Sequence, residues 1–267
     1  MIIWIASYPK SGNTWVRLFL KSYFNLDKNN IINQSFPIGD HFEKYNIDYI
    51  NFNEIIKNWE LMQSDLNLNS RTNYLKTHNA LCTINNYKFT DKNNTLGVIY
   101  LVRDPRDVLV SYAHHLGQTH HQVLKGMLNS QNSELSEFNG KPFRKSLMGR
   151  WSDHYNSWKS YKDRNVLIVK YEDLIQNKED EFLRILNYLN KIDGVNVDNK
   201  KLLQSIEENS FDKLSNKEKE FGFKEASKHG LFFRKGKVGD WKNNLDVSIS
   251  KILEKEFESE MKELNYI

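Results

Sequence analysis

The chain has 267 residues, of which 39% are hydrophobic and 13% aromatic, so it can bury one large core. Its net charge is only +4 at pH 7 and its basic residues form no long runs, so nucleic-acid binding is not expected. The single cysteine, Cys82, excludes an internal disulfide and is typical of a reducing compartment. Because the first apolar run begins at residue 2 and none is long enough to span a bilayer, we expect a cytoplasmic protein without a signal peptide or membrane anchor.

Short apolar segments alternate with helical patterns along the chain. Strands are predicted at residues 2–7, 74–76, 97–102 and 166–169, and helices at residues 14–23, 105–116, 145–162, 178–189 and 247–264. This alternation predicts an α/β fold with a mostly parallel central sheet, helices on both faces, and a ligand site at the carboxyl ends of the strands. Residues 1–267 are expected to form a single domain.

Two segments lie outside these predicted strands and helices. Residues 117–142 are polar and contain glycines, which predicts a loop or lid near the ligand site. Residues 36–59 are rich in aromatic side chains, which form either a wall of a substrate pocket or ordinary helix packing.

The sequence Tyr-Pro-Lys-Ser-Gly-Asn-Thr-Trp at residues 8–15 joins the first predicted strand to the first predicted helix. A tight loop before a helix N-terminus directs unpaired backbone N–H groups at one point and favours a bound anion. Lys10 adds a positive charge, Gly12 lets the backbone approach a ligand closely, and Thr14 can donate its hydroxyl. The predicted ligand is a phosphate or sulfate ester.

This loop differs from the Walker motif, in which the lysine follows the last glycine. Here Lys10 precedes Gly12, and residues 1–11 contain no glycine. A P-loop kinase would also need ATP, Mg²⁺ and an aspartate that holds the metal ion, and no motif supplies that aspartate. Such a kinase is kept as an alternative function, and so is a non-catalytic nucleotide-binding module.

A second motif follows the predicted strand at residues 97–102. Asp104 and Pro105 are typical of the N-cap and the first position of a helix, so Arg103 lies where strand becomes helix. A guanidinium offers paired N–H donors to phosphate oxygens and stays charged. Arg103 either binds such a phosphate or only neutralises Asp104 or Asp107.

A third motif lies far downstream, at residues 232–243, with the sequence Phe-Phe-Arg-Lys-Gly-Lys-Val-Gly-Asp-Trp-Lys-Asn. Its positive charges and two glycines would let a loop close over a polyanion. By charge pattern alone, this segment could equally be a solvated loop.

The three motifs together resemble those of the sulfotransferases that use 3′-phosphoadenosine 5′-phosphosulfate (PAPS). Residues 8–15 are similar to the phosphosulfate loop of that family, residues 103–112 to its 3′-phosphate segment, and residues 234–243 to its C-terminal signature. The motifs keep the family order, and the resemblance covers essentially the whole chain. It implies a P-loop-like three-layer fold and transfer of a sulfuryl group from PAPS to a hydroxyl or amine of a small-molecule acceptor. The product would be 3′,5′-adenosine bisphosphate (PAP), and no metal is implied.

The resemblance also implies roles for individual residues. The phosphosulfate loop would bind through Lys10, Ser11, Gly12, Asn13 and Thr14. The 3′-phosphate would be held by Arg103, Ser111, Arg234, Lys235 and Gly236, with Phe233 in the same binding segment. The adenine would lie against Trp15, Tyr171, Asn209 and Phe211. Asn13 and Asn209 stand where the family commonly has threonine; the backbone N–H of Asn13 and the amide of Asn209 keep the capacity to bind.

The sequence Lys-Thr-His at residues 76–78 matches the family segment that carries the catalytic base. By this resemblance His78 accepts the proton of the acceptor hydroxyl, and Lys76 lies close to the sulfuryl group. An imidazole is expected to titrate near the working pH, and Lys10 would stabilise charge on the leaving phosphate.

The acceptor and the oligomeric state are left open by the sequence. The C-terminal dimer pattern of the family, K-x-x-x-T-V-x-x-x-E, has both its Thr and its Glu replaced at residues 242–251. The histidine pairs at residues 114–115 and 120–121 do not predict a metal site, because adjacent histidines on a helix point in different directions.

Overall fold

The computed structural model describes residues 1–26, 34–69 and 71–267. Its strands are β1 (Ile2–Ser7), β2 (Asn73–Thr77), β3 (Thr83–Ile84), β4 (Tyr87–Lys88), β5 (Thr95–Val102), β6 (Ser133–Phe138), β7 (Lys141–Leu147) and β8 (Val166–Lys170). Its helices are α1 (Asn13–Tyr23), α2 (Asp40–Lys44), α3 (Phe52–Lys57), α4 (Trp59–Asn67), α5 (Pro105–Leu116), α6 (His120–Met127), α7 (Trp151–Lys159), α8 (Tyr171–Gln176), α9 (Lys178–Asp193), α10 (Asn199–Glu208), α11 (Phe211–Phe221), α12 (Trp241–Asn244), α13 (Val247–Glu256) and α14 (Glu258–Glu263).

The central sheet has four strands in the order β2-β1-β5-β8, and every neighbouring pair is parallel. The four strands predicted from the sequence are therefore present, and the predicted parallel sheet is confirmed. Because the strands run in one direction, their carboxyl ends meet at one edge. The segments that follow β1, β2, β5 and β8 lie together at that edge.

Both faces of the sheet are covered, which confirms the predicted layers. Successive strand residues point to opposite faces. Trp4 and Tyr100 belong to one apolar cluster, whereas Ile5 and Leu101 belong to a second one. All six residues of β1 are buried, as expected for a strand covered on both sides.

The predicted loop at residues 117–142 is wrong. It contains α6, which begins with a capping box between Thr119 and Gln122, and the strand β6, which pairs with β7 in an antiparallel hairpin. The turn of this hairpin is Asn139-Gly140, with φ angles of 48° and 72°. Asn-Gly favours such a turn because both positions need positive φ. Polar and apolar residues alternate only weakly along β6, because most of its residues are polar.

Two predicted helices differ most from the structure, whereas α9 only runs four residues further, to Asp193, and α1 begins one residue earlier, at Asn13. The helix expected at residues 145–162 begins only at Trp151, because β7 continues to Leu147 and Gly149 has a φ of 66°. The helix expected at residues 247–264 is divided into α13 and α14 at Phe257.

The aromatic segment at residues 36–59 packs into the core. The ring of Phe42 stacks on that of Tyr49 at 5.3 Å between centroids, and it contacts Phe138 and Phe143 of the β6–β7 hairpin edge-on. Ordinary packing therefore explains these contacts.

Candidate active site

The loop at residues 8–12 leaves the end of β1 and turns into α1. Lys10 has a φ of 66°, which is unusual for a residue with a side chain, and Gly12 has a φ of 95°. A Cβ on Gly12 would lie 2.8 Å from the ring of Tyr171. Gly12 is thus required both by its backbone conformation and by the close approach of this ring.

Two buried donors of the predicted site have no partner within the described residues. One is the hydroxyl of Ser11, and the other is the Nε of Arg103. Buried polar groups are nearly always hydrogen-bonded, so orphaned donors at one site indicate a ligand. Both atoms are of the type that binds phosphate oxygens, and Ser11 is followed by Gly12 and then by the first residue of α1. The residues present fit an anionic nucleotide.

Asn13 and Thr14 open α1, and their side chains have different roles. Asn13 donates from Nδ2 to the carbonyl of Ile5 at 2.8 Å, and its Oδ1 accepts from the Nε of Arg17 at 2.8 Å. Its side chain therefore fixes the loop, and both ends of its amide are used within the fold. Thr14 directs its hydroxyl to Glu225 at 3.0 Å.

Lys10 is held over an aromatic ring. Its Nζ lies 3.6 Å from the ring centre of Phe232, a cation–π geometry. Burial, and then the nearby charge of Arg103, lower the pKa of Lys10 to about 7. A desolvated ammonium of this kind gains strongly from an anion placed beside it.

Arg103 joins the three sequence motifs. Its Nη1 donates to the carbonyl of Lys10 at 3.2 Å and its Nη2 to the carbonyl of Lys237 at 3.0 Å. The guanidinium lies 4.3 Å from the ring centre of Tyr171. Of the alternative in which Arg103 only neutralises Asp104 or Asp107, the first part is not supported, because Asp104 pairs with Arg106 at 2.7 Å. Arg103 does lie 3.7 Å from Asp107, and its contacts with Lys10 and Lys237 come in addition to that pair.

Asp107 anchors the C-terminal motif, and sequence reasoning missed this role. It lies 3.7 Å from Arg103 and accepts the backbone N–H groups of Gly239 at 2.7 Å and Trp241 at 2.9 Å. Both partners lie in matched motifs, which was the available signal. Ser111 lies one turn further along α5 and is half-buried.

The predicted 3′-phosphate residues of the C-terminal motif share one carboxylate. Arg234 and Lys235 each contact Asp240 at 2.7 Å, and the exposed fractions of their side chains are 28% and 40%. Gly236 has a φ of 60° and lies directly on the ring of Phe211. Phe233 is buried, and Glu218 accepts its backbone N–H at 2.8 Å.

Three of the predicted adenine residues contact one another beside α1, and the fourth, Phe211, lies against Gly236. Trp15 donates from Nε1 to the carbonyl of Asn209 at 2.9 Å and meets the ring of Tyr171 edge-on at 6.3 Å between centroids. The Nδ2 of Asn209 donates to the carbonyl of Ser205 at 2.8 Å. One donor of this amide is therefore used within the fold.

His78 is buried at the end of β2. Its Nδ1 lies 2.7 Å from the carbonyl oxygen of Ser7, which can only accept, so Nδ1 carries the proton and the lone pair is on Nε2. Burial, and then Lys76, lower the pKa of His78 to about 4. This value is below the near-neutral one expected from the sequence, and it keeps the ring neutral and able to accept a proton at pH 7.

The β6–β7 hairpin brings two further charges toward His78 that the sequence did not indicate. The backbone N–H of Ala80 donates to the carbonyl of Leu147 at 2.8 Å, which places β7 beside the segment that follows His78. Glu134 accepts from the hydroxyl of Ser146 at 3.0 Å. Burial would raise the pKa of Glu134, but His78 and Lys145 outweigh it and hold that pKa below its usual range.

Within the described ranges, no group of three or more His, Cys, Asp or Glu side chains is arranged to hold a metal ion. No helix of the described part is both long and apolar enough to cross a membrane.

Comparison with known proteins decides the family. Residues 2–265 match the family model described as the sulfotransferase domain. The chain belongs to the sulfotransferase family. It is an enzyme that transfers a sulfuryl group from PAPS to a small-molecule acceptor.

Named relatives of this sulfotransferase cover nearly all of it. It is 29% identical to the amine sulfotransferase of Oryctolagus cuniculus over 98% of its own length and 81% of that protein. It is 28% identical to cytosolic sulfotransferase 1 of Danio rerio, over 97% and 82% of the two chains.

Solved structures show that the fold of this sulfotransferase is shared. Mouse sulfotransferase SULT7A1 complexed with PAP superposes with a TM-score of 0.66 at 22% identity, over 98% of this chain and 84% of that one. Retinol dehydratase in complex with androsterone and inactive cofactor PAP gives a TM-score of 0.62 at 22% identity, over 98% and 80%. The predicted P-loop-like α/β fold is confirmed.

Proposed function

We propose that the phosphosulfate end of PAPS binds at Lys10, Ser11, Gly12, Thr14 and the backbone N–H groups that open α1. We propose further that Arg103, Ser111, Arg234, Lys235 and Gly236 bind the 3′-phosphate, with Phe233 behind them. In this proposal Trp15, Tyr171, Asn209 and Phe211 enclose the adenine. Asn13 contributes its backbone N–H, because its side chain is hydrogen-bonded to β1.

One observation carries this assignment. Arg103 contacts the backbone of the phosphosulfate loop and that of the C-terminal motif, and its buried Nε has no partner among the described residues. An arginine placed between two anion-binding loops with a donor unused is suited to a nucleotide that carries phosphate groups at both ends. The complexes with PAP named above support the same class of ligand.

The proposed chemistry uses three side chains. PAPS supplies the sulfuryl group and leaves as PAP. The Nε2 of His78 takes the proton from the acceptor hydroxyl as its oxygen bonds to sulfur. Lys10 and the N-terminus of α1 stabilise the electron pair that stays on the leaving phosphate, and Lys76 neutralises the sulfuryl oxygens.

The acceptor is proposed to be a small molecule with a hydroxyl or an amine. The relative from Oryctolagus cuniculus is named for amines, which supports the second possibility. We also propose a cytoplasmic enzyme, supported by the relative named a cytosolic sulfotransferase, with no nucleic-acid or membrane partner. Residues 1–267 are proposed to form a single domain, because the family match spans residues 2–265.

Turnover of labelled PAPS with a panel of phenols, alcohols and amines tests this function directly. Thermal unfolding with PAP, compared with ATP and Mg²⁺, distinguishes it from the kinase alternative. A larger stabilisation by ATP with Mg²⁺ would contradict the proposal. A non-catalytic module would bind PAP and give no turnover with any acceptor.

Arg103→Ala is expected to weaken PAP binding by about 10- to 100-fold, since hydrogen bonds to charged groups contribute roughly 1.5–3 kcal/mol each. Binding of adenosine 5′-phosphosulfate, which lacks the 3′-phosphate, should fall by less, because that ligand loses only the support that Arg103 gives to the carbonyl of Lys10. Calorimetric titration of both ligands measures the difference.

Arg71→Ala is the matched control, because Arg71 is exposed and precedes β2 at the opposite edge of the sheet. It should leave both affinities unchanged. Equal losses for PAP and adenosine 5′-phosphosulfate in Arg103→Ala would remove the proposed 3′-phosphate role.

Sulfuryl transfer is expected to survive EDTA, because Lys10, Lys76 and the N-terminus of α1 supply the positive charge that a kinase obtains from Mg²⁺. Initial rates with labelled PAPS before and after dialysis against the chelator provide the test. Complete loss of activity, with recovery on addition of Mg²⁺, would favour the kinase.

A further inference from the structure

The carboxylate of Glu225, far along the chain, contacts hydrogen-bond donors at the proposed phosphosulfate site. Glu225 belongs to the connection between α11 and the C-terminal motif. Its Oε1 lies 2.5 Å from the Nη2 of Arg17, and its Oε2 accepts from the hydroxyl of Thr14 at 3.0 Å and from the Nζ of Lys76 at 3.3 Å. One side chain therefore contacts donors from both α1 and β2.

Glu225 is held in its charged form. Burial would raise its pKa, but Arg17 and Lys76 outweigh that effect and keep the pKa below its usual range. The side chain of Arg17 is only 1% exposed, so its guanidinium depends on an anion inside the site. A carboxylate and a phosphosulfate group both satisfy that requirement.

The two anions cannot share these donors. The hydroxyl of Thr14 has a single proton to donate, and a second anion beside the carboxylate would be repelled by it. The segment that carries Glu225 lies between Gly222 and Gly230, whose φ angles of 73° and 150° favour glycine.

We propose that Glu225 is an internal competitor for the 5′-anion of the nucleotide. It occupies the subsite of the phosphosulfate group until the nucleotide displaces it, and Arg17, Thr14 and Lys76 then exchange one anion for the other. Glu225 thereby sets the affinity of the enzyme for PAPS, the sulfuryl donor. This inference rests on the proposed function, since it needs the phosphosulfate group to bind at Thr14 and Lys76.

The test compares PAP with adenosine 3′-monophosphate, which has no 5′-anion, by calorimetric titration. Glu225→Gln should bind PAP about tenfold more tightly than the unchanged chain, because the competing charge is removed while the amide oxygen still accepts from Arg17. Affinity for adenosine 3′-monophosphate should change by less than about twofold, because that ligand does not compete with Glu225. Glu220→Gln, at an exposed position of α11, is the matched control and should change neither affinity.

Weaker PAP binding by Glu225→Gln, or an equal gain for both nucleotides, would overturn the inference. If the single variant does not fold, Arg17→Met/Glu225→Gln is compared with Arg17→Met, which removes the buried charge from both proteins. The double variant should still bind PAP more tightly, and no gain would overturn the inference. Failure of every protein to bind PAP would overturn the proposed function and the inference with it.

Discussion

His78→Ala is expected to lower kcat by about 10²- to 10⁴-fold, because the acceptor hydroxyl then has no positioned base. PAP affinity should be nearly unchanged, since the proposed role of His78 is toward the acceptor and not the nucleotide. Single-turnover rates with labelled PAPS, together with PAP titration, separate the two effects.

The pH dependence gives a second readout of the same residue. With a pKa of about 4, His78 is neutral and able to accept a proton above that value, and it loses this ability as the pH falls through it. The rate of the unchanged enzyme should therefore hold from neutral pH downwards and decline toward about pH 4. His78→Ala should lack that decline.

Acceptors that are already ionised near neutral pH should lose the least in the variant, because they need no base. His78→Asn is a useful companion, since its amide can still donate to the carbonyl of Ser7 but cannot accept a proton. His121→Ala, at an exposed position on α6, is the control. Near-normal kcat with a weakly acidic alcohol would show that His78 is structural.

The parts of the fold that were predictable are those whose sequence signals are local. Helix α5 was predicted to its end residues, because Asp104 caps its N-terminus, Pro105 suits its first position, and Gly117 ends it with a φ of 62°. The central strands were found because burial on both faces makes them continuous apolar runs.

The β6–β7 hairpin was missed for the opposite reason. Strand β6 lies partly at the surface and consists mostly of polar residues, so polar and apolar residues do not alternate clearly along it. The Asn139-Gly140 turn was the one strong signal in that segment. Charged groups beside the predicted base, such as Glu134, were missed with the hairpin.

The candidate site also has a part that the sequence predicts and a part that it does not. The loops after β1, β2 and β5 could be predicted to meet, because each follows a parallel strand and those strands end at one edge. The C-terminal motif follows α11 and not a strand, so only the family resemblance placed it at the site. The contacts of Glu225 could not be predicted, because they join positions separated by 208 and 149 residues through the path of an irregular connection. Neither hydrophobic periodicity nor a helix cap in the sequence predicts the course of that connection.

Lys10→Met is expected to lower kcat by about 10²- to 10³-fold, because the leaving phosphate loses a positioned positive charge in a site with little water. Methionine keeps an unbranched side chain that can still pack on Phe232. Lys88→Met, at an exposed position of β4, controls for loss of a lysine elsewhere.

The same variant should change how PAP binding depends on pH. In the free enzyme burial, followed by Arg103, lowers the pKa of Lys10 to about 7, and a bound phosphate favours the charged form and raises that pKa. PAP affinity should then be greatest below pH 7 and fall as the pH rises through 7, by up to about tenfold per unit, because binding takes up a proton. Titrations from pH 6.5 to about 9 should show this decline in the unchanged enzyme and a flat profile in Lys10→Met. The same slope in both proteins would mean that another group takes up the proton and that Lys10 does not meet the phosphate.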